Sequence, residues 1–182
     1  MDQRRFLDRI MRVSNKQIFA ASTLIFIITI AILPSMQENA IEEVGSESPD
    51  LSLYYSTEDL YRMAESYGEE GRSNYIKTRF SFDLVFPLIY GVFLYSGIVW
   101  LYNNHSREKQ RISTINKLPI IGVLFDYLEN ISTSIVMWRY PEKTTIVDTA
   151  ATVFTPVKWI TISICFILIL VGLSRLLIKR LR

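Results

Sequence analysis

The chain is poor in the residues that build most catalytic and metal centres. It contains one cysteine and one histidine in 182 residues. A single cysteine excludes an intrachain disulfide and a cysteine-based metal site. The single histidine, His105, lies in a predicted loop, which excludes a histidine-rich metal site and argues against a Ser-His-Asp triad. No glycine-rich phosphate loop or dinucleotide-binding fingerprint is present. We therefore expect no metal ion and no organic cofactor.

Long runs without charge are the main feature that the chain does have. Four of them cover residues 17–37, 84–104, 118–138 and 149–174, interrupted only by Asp126, Glu129 and Lys158. A helix of about 20 apolar residues crosses the hydrocarbon core of a bilayer. The runs are apolar on all sides, unlike the amphipathic helices of a soluble bundle. The first run is long for a cleaved signal peptide, so we expect it to be an uncleaved helix.

These runs predict an all-α polytopic membrane protein with four transmembrane helices in an antiparallel bundle. We expect residues 1–182 to form a single membrane domain. The predicted spans are about 17–36, 80–102, 118–138 and 150–176.

The distribution of basic residues predicts the orientation of the chain. Thirteen lysines and arginines lie in the N-terminal segment, the loop after the second span and the C-terminal tail, against six on the other side. Because positive charge accumulates in cytoplasmic loops, we expect both termini in the cytoplasm and a location in the cytoplasmic (inner) membrane. The basic tail RLLIKRLR is expected to contact anionic lipid of the bilayer and not nucleic acid.

The loop after the first span is acidic. Residues 38–79 contain ten acidic and four basic residues. Ser56 and Asp59 resemble a capping box, and Leu60, Met63, Ala64 and Tyr67 follow at helical spacing before Gly68. This pattern predicts a short extracytoplasmic amphipathic helix over about 56–67. A solvated acidic loop is the alternative.

The third run contains ionisable residues where water is scarce. Asp126, Glu129 and Asn130 lie on one stripe of the helix, together with Thr133. The acids are about 10 and 15 Å from the cytoplasmic end of the run, and at this depth a charge facing lipid costs about 3 kcal/mol or more. The stripe is therefore expected to face the interior of the bundle. It is interpreted either as a functional site or as a polar clasp between helices.

Partners for this stripe are expected from the neighbouring spans. Asp83 and Tyr90 lie in the second span, and Lys158 lies in the fourth. We expect Lys158 to pair with Asp83 or Glu129. If the fourth helix begins at Thr155, that residue caps it; if it begins near Asp148, Pro156 kinks it and Lys158 lies deeper. In the third span, Asn116 is the predicted cap and Pro119 lies in the first turn.

A second polar group precedes the second span. Arg72, Tyr75 and Arg79 share one face of a helix that continues into this span, where Arg79 can pair with Asp83 at i and i+4. We interpret the three residues as an outer gate to the polar cluster. The alternative is that these arginines extend to the lipid headgroups.

The motifs GEEGRSNY, FDLVFPLIYG, FDYLEN and VKW carry a resemblance over roughly residues 55–160. Their pattern, GxxGRxxY, DxxFPxxY, DxxEN and KW, is similar to that of a largely uncharacterised family of small bacterial four-helix integral membrane proteins. The resemblance implies a topology and a residue set but no reaction. That set is Gly68, Gly71, Arg72, Tyr75, Asp83, Pro87, Tyr90, Asp126, Glu129, Asn130, Lys158 and Trp159.

Three functional hypotheses fit the sequence. The first is an intramembrane polar and acidic site that binds or passes a small polar molecule, a cation or a lipid headgroup. Its residues are Asp83, Tyr90, Asp126, Glu129, Asn130 and Lys158. The second is a structural or assembly subunit that docks a membrane-protein partner through its acidic loop. The third is an intramembrane enzyme acting on lipid, with a carboxyl group as acid or base.

Overall fold

The computed structural model describes residues 15–33, 48–49, 52–102 and 114–181, and within these ranges it is helical without any strand. The N-terminal arginines, the end of the first predicted span and the loop containing His105 lie outside the described residues. The described residues form five long helices. They are α1 (Asn15–Leu33), α2 (Thr57–Arg79), α3 (Phe82–Tyr102), α4 (Leu118–Arg139) and α5 (Thr145–Leu181).

The described chain has four helical stretches that are long and apolar enough to cross a membrane. They are α1, α4, α5 and the stretch Thr57–Tyr102, which joins α2 to α3. Within the joined stretch α3 is strongly apolar, whereas α2 is polar on average. The predicted all-α class is confirmed, and the chain is a multi-pass membrane protein.

Helix α2 begins at the predicted capping box. Ser56 Oγ accepts a hydrogen bond from the Asp59 N–H at 3.1 Å, and Asp59 Oδ2 accepts one from the Ser56 N–H at 3.0 Å. These bonds from the backbone and hydroxyl of Ser56 hold the pKa of Asp59 below its usual range. The first part of the helix ends at Gly68, whose φ of 63° and ψ of −176° interrupt the helical backbone. The chain then turns into a second helical part that ends at Arg79.

The structure decides how α4 and α5 begin. The prediction of Asn116 as the cap of α4 is wrong, because Lys117 occupies the N-cap position and makes no side-chain capping bond. Pro119 does lie in the first turn, where its missing N–H costs nothing. Of the two starts considered for α5, the structure has the earlier one: the helix begins at Thr145, so Thr155 and Pro156 lie inside it.

Buried apolar side chains form two separate cores. The cap core joins α2 to the end of α4 and the start of α5; its members are Tyr55, Leu60, Met63, Ala64, Tyr67, Tyr75, Val136, Met137 and Ala151. The bundle core joins α3 to α5, with partly buried residues of α1 and α4 packed against it; its members are Tyr90, Phe93, Leu94, Ile98, Cys165 and Ile169. Helix α5 belongs to both cores.

A band of buried polar residues separates the two cores. Along α4 it lies between Val123 and Val136, and along α5 it lies between Ala151 and Ile162. We call it the polar layer and define it by Asp126, Glu129, Asn130, Thr133, Thr155 and Lys158, all of which are buried. The layer is where α4 and α5, the two helices in closest contact, face each other.

Candidate functional site

The α4–α5 hairpin brings Glu129 and Lys158 together. Glu129 precedes the end of α4 by ten residues, and Thr155 follows the start of α5 by ten, so these two positions face each other across the antiparallel pair. Lys158 lies one turn further along α5 and forms an ion pair with Glu129 Oε2. The Glu129 side chain is 0% exposed and that of Lys158 is 5% exposed. Of the two acids considered as its partner, Lys158 therefore pairs with Glu129.

The second oxygen of Glu129 is held by hydroxyl groups. Thr155 Oγ1 donates to Glu129 Oε1 at 2.5 Å. The Tyr55 hydroxyl lies 2.9 Å from the same Thr155 oxygen. The single threonine proton is directed to the carboxylate. The Tyr55 hydroxyl, which belongs to the cap core, contacts the same Thr155 oxygen and helps to hold it in this position. The Glu129 charge is thus compensated by one ammonium group and one hydroxyl donor, which is the condition under which a buried charge is retained.

Asp126 lies one turn before Glu129 on α4 and forms a second hydrogen-bonded group. Its Oδ2 accepts a hydrogen bond from the Tyr90 hydroxyl of α3 at 2.7 Å. Its Oδ1 accepts one from Asn130 Nδ2 at 3.0 Å. The side chains that were predicted to face the bundle interior do so, and Tyr90 joins them from the second span. Both of these donors are neutral groups.

Asp83 lies in a separate ion pair at the start of α3. Arg79 Nη1 is 2.5 Å from Asp83 Oδ2, as expected for the i and i+4 spacing, although the helix is interrupted at Phe80 and Ser81. The Arg79 guanidinium also lies 4.5 Å from the centre of the Tyr75 ring. Tyr75 in turn donates to Thr133 Oγ1 at 3.1 Å. Tyr75 therefore links the Arg79–Asp83 pair to the polar layer.

Arg72 does not join this group. Its Nη1 donates to the Ala64 carbonyl at 2.9 Å, and its guanidinium lies 4.7 Å from the centre of the Tyr140 ring. The break at Gly68 leaves carbonyl groups at the end of the first part of α2, and a cation at a helix C-terminus satisfies them favourably. The contacts of Arg72 are those of a residue that joins the two parts of α2.

Two buried polar atoms in this region have no hydrogen-bond partner among the described residues. They are Asn130 Oδ1 and Ser134 Oγ, and their residues are 4% and 5% exposed. Asp126, Asn130 and Ser134 follow one another at four-residue spacing and therefore lie on one stripe of α4. A buried polar group without a partner costs about 1–3 kcal/mol. The stripe thus presents both a carboxylate and two atoms that can each take a further hydrogen bond.

The polar layer lies at one end of the apolar length of α3. Tyr127, beside Asp126, donates to the Leu84 carbonyl at 2.7 Å, and Gly91 lies against Val123, so the layer is level with the first two turns of α3. Helix α3 has 21 residues and is therefore about 30 Å long, which is the thickness of the hydrocarbon core. Measured along α4 alone, Glu129 is close to the middle of the helix. Measured along α3, the same layer is near the helix start.

Several residues of the site are not found by helical periodicity. Tyr55 precedes the capping box and has no periodic partner, so its bond to Thr155 depends on how residues 52–56 fold back. Trp159 Nε1 donates to the Ser52 carbonyl at 3.1 Å and holds this segment against α5. The sequence pattern around Thr155 predicts only a helix cap. Its pairing with Glu129 follows from its position ten residues after the start of α5, and the sequence does not determine that start.

The fold and the buried layer together define a class: a multi-pass helical membrane protein with ionisable side chains enclosed between two apolar cores. No family model, no curated protein and no solved structure matches the chain. In the part of the chain that the structure describes, no three acidic, cysteine or histidine side chains come together to hold a metal ion.

Proposed function

We propose that the polar layer binds or passes a small polar molecule, a cation or a lipid headgroup. The observation that carries this proposal is a pair of buried atoms, Asn130 Oδ1 and Ser134 Oγ, that lie on the same stripe as Asp126 and have no hydrogen-bond partner within the described ranges. A clasp whose only role is to join helices is expected to satisfy its polar groups internally, because each unsatisfied one destabilises the fold. A ligand-binding site, in contrast, contains polar groups that form hydrogen bonds with the ligand.

The layer favours a ligand that carries hydrogen-bond donors. Asp126 and Asn130 Oδ1 offer acceptor oxygens, and Ser134 offers a hydroxyl that can donate or accept. A cation or an amine would also compete with Lys158 for Glu129, which lies one turn away on the same helix. Exchange of the internal ammonium group for an external one keeps the carboxylate compensated throughout. The Glu129–Lys158 pair is therefore proposed as the exchangeable element of the site.

The position of the layer supports access from the membrane surface. It is level with the first two turns of α3, so a ligand that enters at this end of the bundle has a short path. The segment 52–56 covers the layer through Tyr55 and through the bond from Trp159 to Ser52. We propose that this segment is the part that moves when a ligand enters, and that Arg79 and Tyr75 line the entrance.

We propose that the protein lies in the cytoplasmic membrane with both termini in the cytoplasm and α2 outside. The excess of basic residues beside the other ends of the spans supports this orientation. The face of α2 that the bundle leaves exposed carries charged residues such as Arg62, Glu65 and Glu69, as a helix outside the hydrocarbon requires.

Labelling with a membrane-impermeant maleimide tests this orientation. Glu69→Cys is expected to react in intact cells, and Arg180→Cys only after permeabilisation, since the two exposed positions are placed on opposite sides. The native Cys165 is buried and provides the unlabelled background. The reverse labelling pattern would refute the proposed orientation.

Fluorescence of Trp159 tests the proposed binding site, because Lys158 Nζ lies 5.3 Å from the centre of its ring. In a Trp100→Phe/Trp138→Phe background, we expect at least one of three probes, sodium ion, ethanolamine or glycerol 3-phosphate, to change the emission in a saturable way. Asp126→Asn is expected to weaken this binding about tenfold or more, since a hydrogen bond to a charged group contributes about 1.5–3 kcal/mol.

Ser96→Ala is the matched control for this experiment. Ser96 is a buried polar residue of α3 that lies 3.0 Å from the Ser22 hydroxyl, outside the polar layer. We expect it to bind as the parent protein does. If no probe changes the emission of folded protein, the binding proposal fails. If Asp126→Asn and Glu129→Gln both prevent the protein from folding, the layer is a structural clasp, and a role as an assembly subunit becomes the better explanation.

A further inference from the structure

A second polar region lies beside the cap core, away from the polar layer. A cleft of about 590 Å³ separates the first part of α2 from the α4–α5 connection. Its volume is in the range of small-molecule sites in proteins. The cleft is lined by aromatic and charged side chains, among them Tyr61, Tyr140, Glu65, Lys143 and Asp148.

Asp148 is the buried charge of this cleft. It lies in the first turn of α5 and is 4% exposed, yet it contributes to the cleft wall. Among the described residues its side-chain partners are the hydroxyl groups of Tyr61, at 3.2 Å, and Thr149, at 3.2 Å. The Tyr61 oxygen accepts a hydrogen bond from the Thr144 N–H at 2.7 Å, which directs the tyrosine proton to Asp148. Thr149 donates at a shorter distance, 2.7 Å, to the Thr145 carbonyl, so the neutral Tyr61 hydroxyl is the donor directed at this buried carboxylate.

The basic residues of the cleft have acidic neighbours of their own. Arg62 pairs with Asp59, which lies outside the cleft, at 2.8 Å. Lys143 lies near Glu58: the pKa of Glu58 is lowered by hydrogen bonds from its own backbone N–H and from Thr57 and Ser56, and the charge of Lys143 adds to this. The cleft is lined by three acidic and two basic side chains, so the carboxylates of Asp148 and Glu65 leave it with an excess of negative charge.

We infer that this cleft binds a small organic ammonium group, with Asp148 as its counter-ion. Asp148 lies in the first turn of α5, and the amide dipoles at a helix N-terminus interact favourably with a carboxylate. The volume is far larger than a metal ion requires, and it leaves room for an ammonium group together with an organic substituent. Tyr61 also lines the cleft, and ammonium groups bind favourably to aromatic rings.

Calorimetric titration tests this inference with three probes. Ethanolamine and choline are titrated into purified protein in detergent, and binding of phosphatidylethanolamine is measured in nanodiscs against phosphatidylglycerol. Saturable binding of a free amine identifies a soluble ligand, and selective binding of phosphatidylethanolamine alone identifies a lipid headgroup. In either case Asp148→Asn is expected to raise the Kd about tenfold or more, the effect of losing one hydrogen bond to a charged group.

Two further variants make the result decisive. Glu69→Gln removes an exposed acid of α2 that lies outside the cleft, and it is expected to leave the Kd unchanged. Glu65→Trp fills the cleft from an exposed position and keeps Asp148, so it is expected to abolish binding even if Asp148→Asn fails to fold. The inference is overturned if none of the probes binds saturably, or if folded Asp148→Asn or Glu65→Trp binds as the parent protein does.

Discussion

Replacement of Lys158 by methionine is expected to destabilise the protein by about 3–5 kcal/mol, because it leaves the Glu129 carboxylate buried without its ammonium partner. Glu129 is fully buried, so water does not replace the lost charge. The measurement is the free energy of unfolding in detergent micelles, followed by circular dichroism against a chemical denaturant. Lys143→Met is the control, since it removes an exposed lysine from the α4–α5 connection.

The double variant Glu129→Gln/Lys158→Met separates charge from packing. It removes both charges, and it is expected to recover most of the stability lost in Lys158→Met. Replacing a buried ion pair by neutral groups is often close to neutral, whereas removing one partner is costly. A Lys158→Met protein within about 0.5 kcal/mol of the parent would contradict the ion pair, because surface substitutions have effects of this size.

Replacement of Gly68 by alanine is expected to lower the free energy of unfolding by about 1–3 kcal/mol, through the turn that joins the two parts of α2. Gly68 has φ 63° and ψ −176°, a combination that is essentially restricted to glycine. A Cβ at this position would meet no atom within 4 Å, so the cost comes from the backbone conformation and not from a steric clash. The same denaturation experiment measures it. Because the turn at Gly68 places Tyr75 against Thr133, we also expect the bond between these hydroxyls to weaken.

Gly91→Ala provides the contrasting case. Its Cβ would lie 2.6 Å from Val123 Cγ2, so the cost there is steric and depends on how far the valine can move. Glu69→Ala, one residue beyond Gly68 and exposed, is the matched control and is expected to be nearly neutral. A Gly68→Ala protein as stable as the Glu69→Ala protein would show that the chain does not need this backbone conformation.

The helices and some of the side-chain pairs in the site can be predicted from the sequence. Charge-free runs locate the apolar helices, and the spacing of Ser56 and Asp59 identifies the start of α2. The same helical spacing correctly places Asp126 with Asn130, and Arg79 with Asp83. These are all relations within one helix or across one short break, where 3.6 residues per turn fixes which side chains meet.

Relations between helices are less accessible from the sequence. The choice of Glu129 over Asp83 as partner of Lys158 depends on where α5 begins, and both Asp148 and Thr155 are plausible starts by capping preference alone. The role of Tyr55 depends on the fold of a segment without periodicity. The depth of the polar layer depends on the offset between α3 and α4, which loop lengths do not determine.

The weak attachment of α1 has a consequence for how the protein is assembled. Only 6% of the residues in its apolar stretch are buried, and its described contacts are mainly with α3, through stacked phenylalanines and the pair Ser22–Ser96. The residues that build the polar layer, the cap and the cleft all follow it in the chain. The first span is therefore a peripheral helix, and the later helices can complete the interior before it docks. Its broad apolar surface then faces lipid tails.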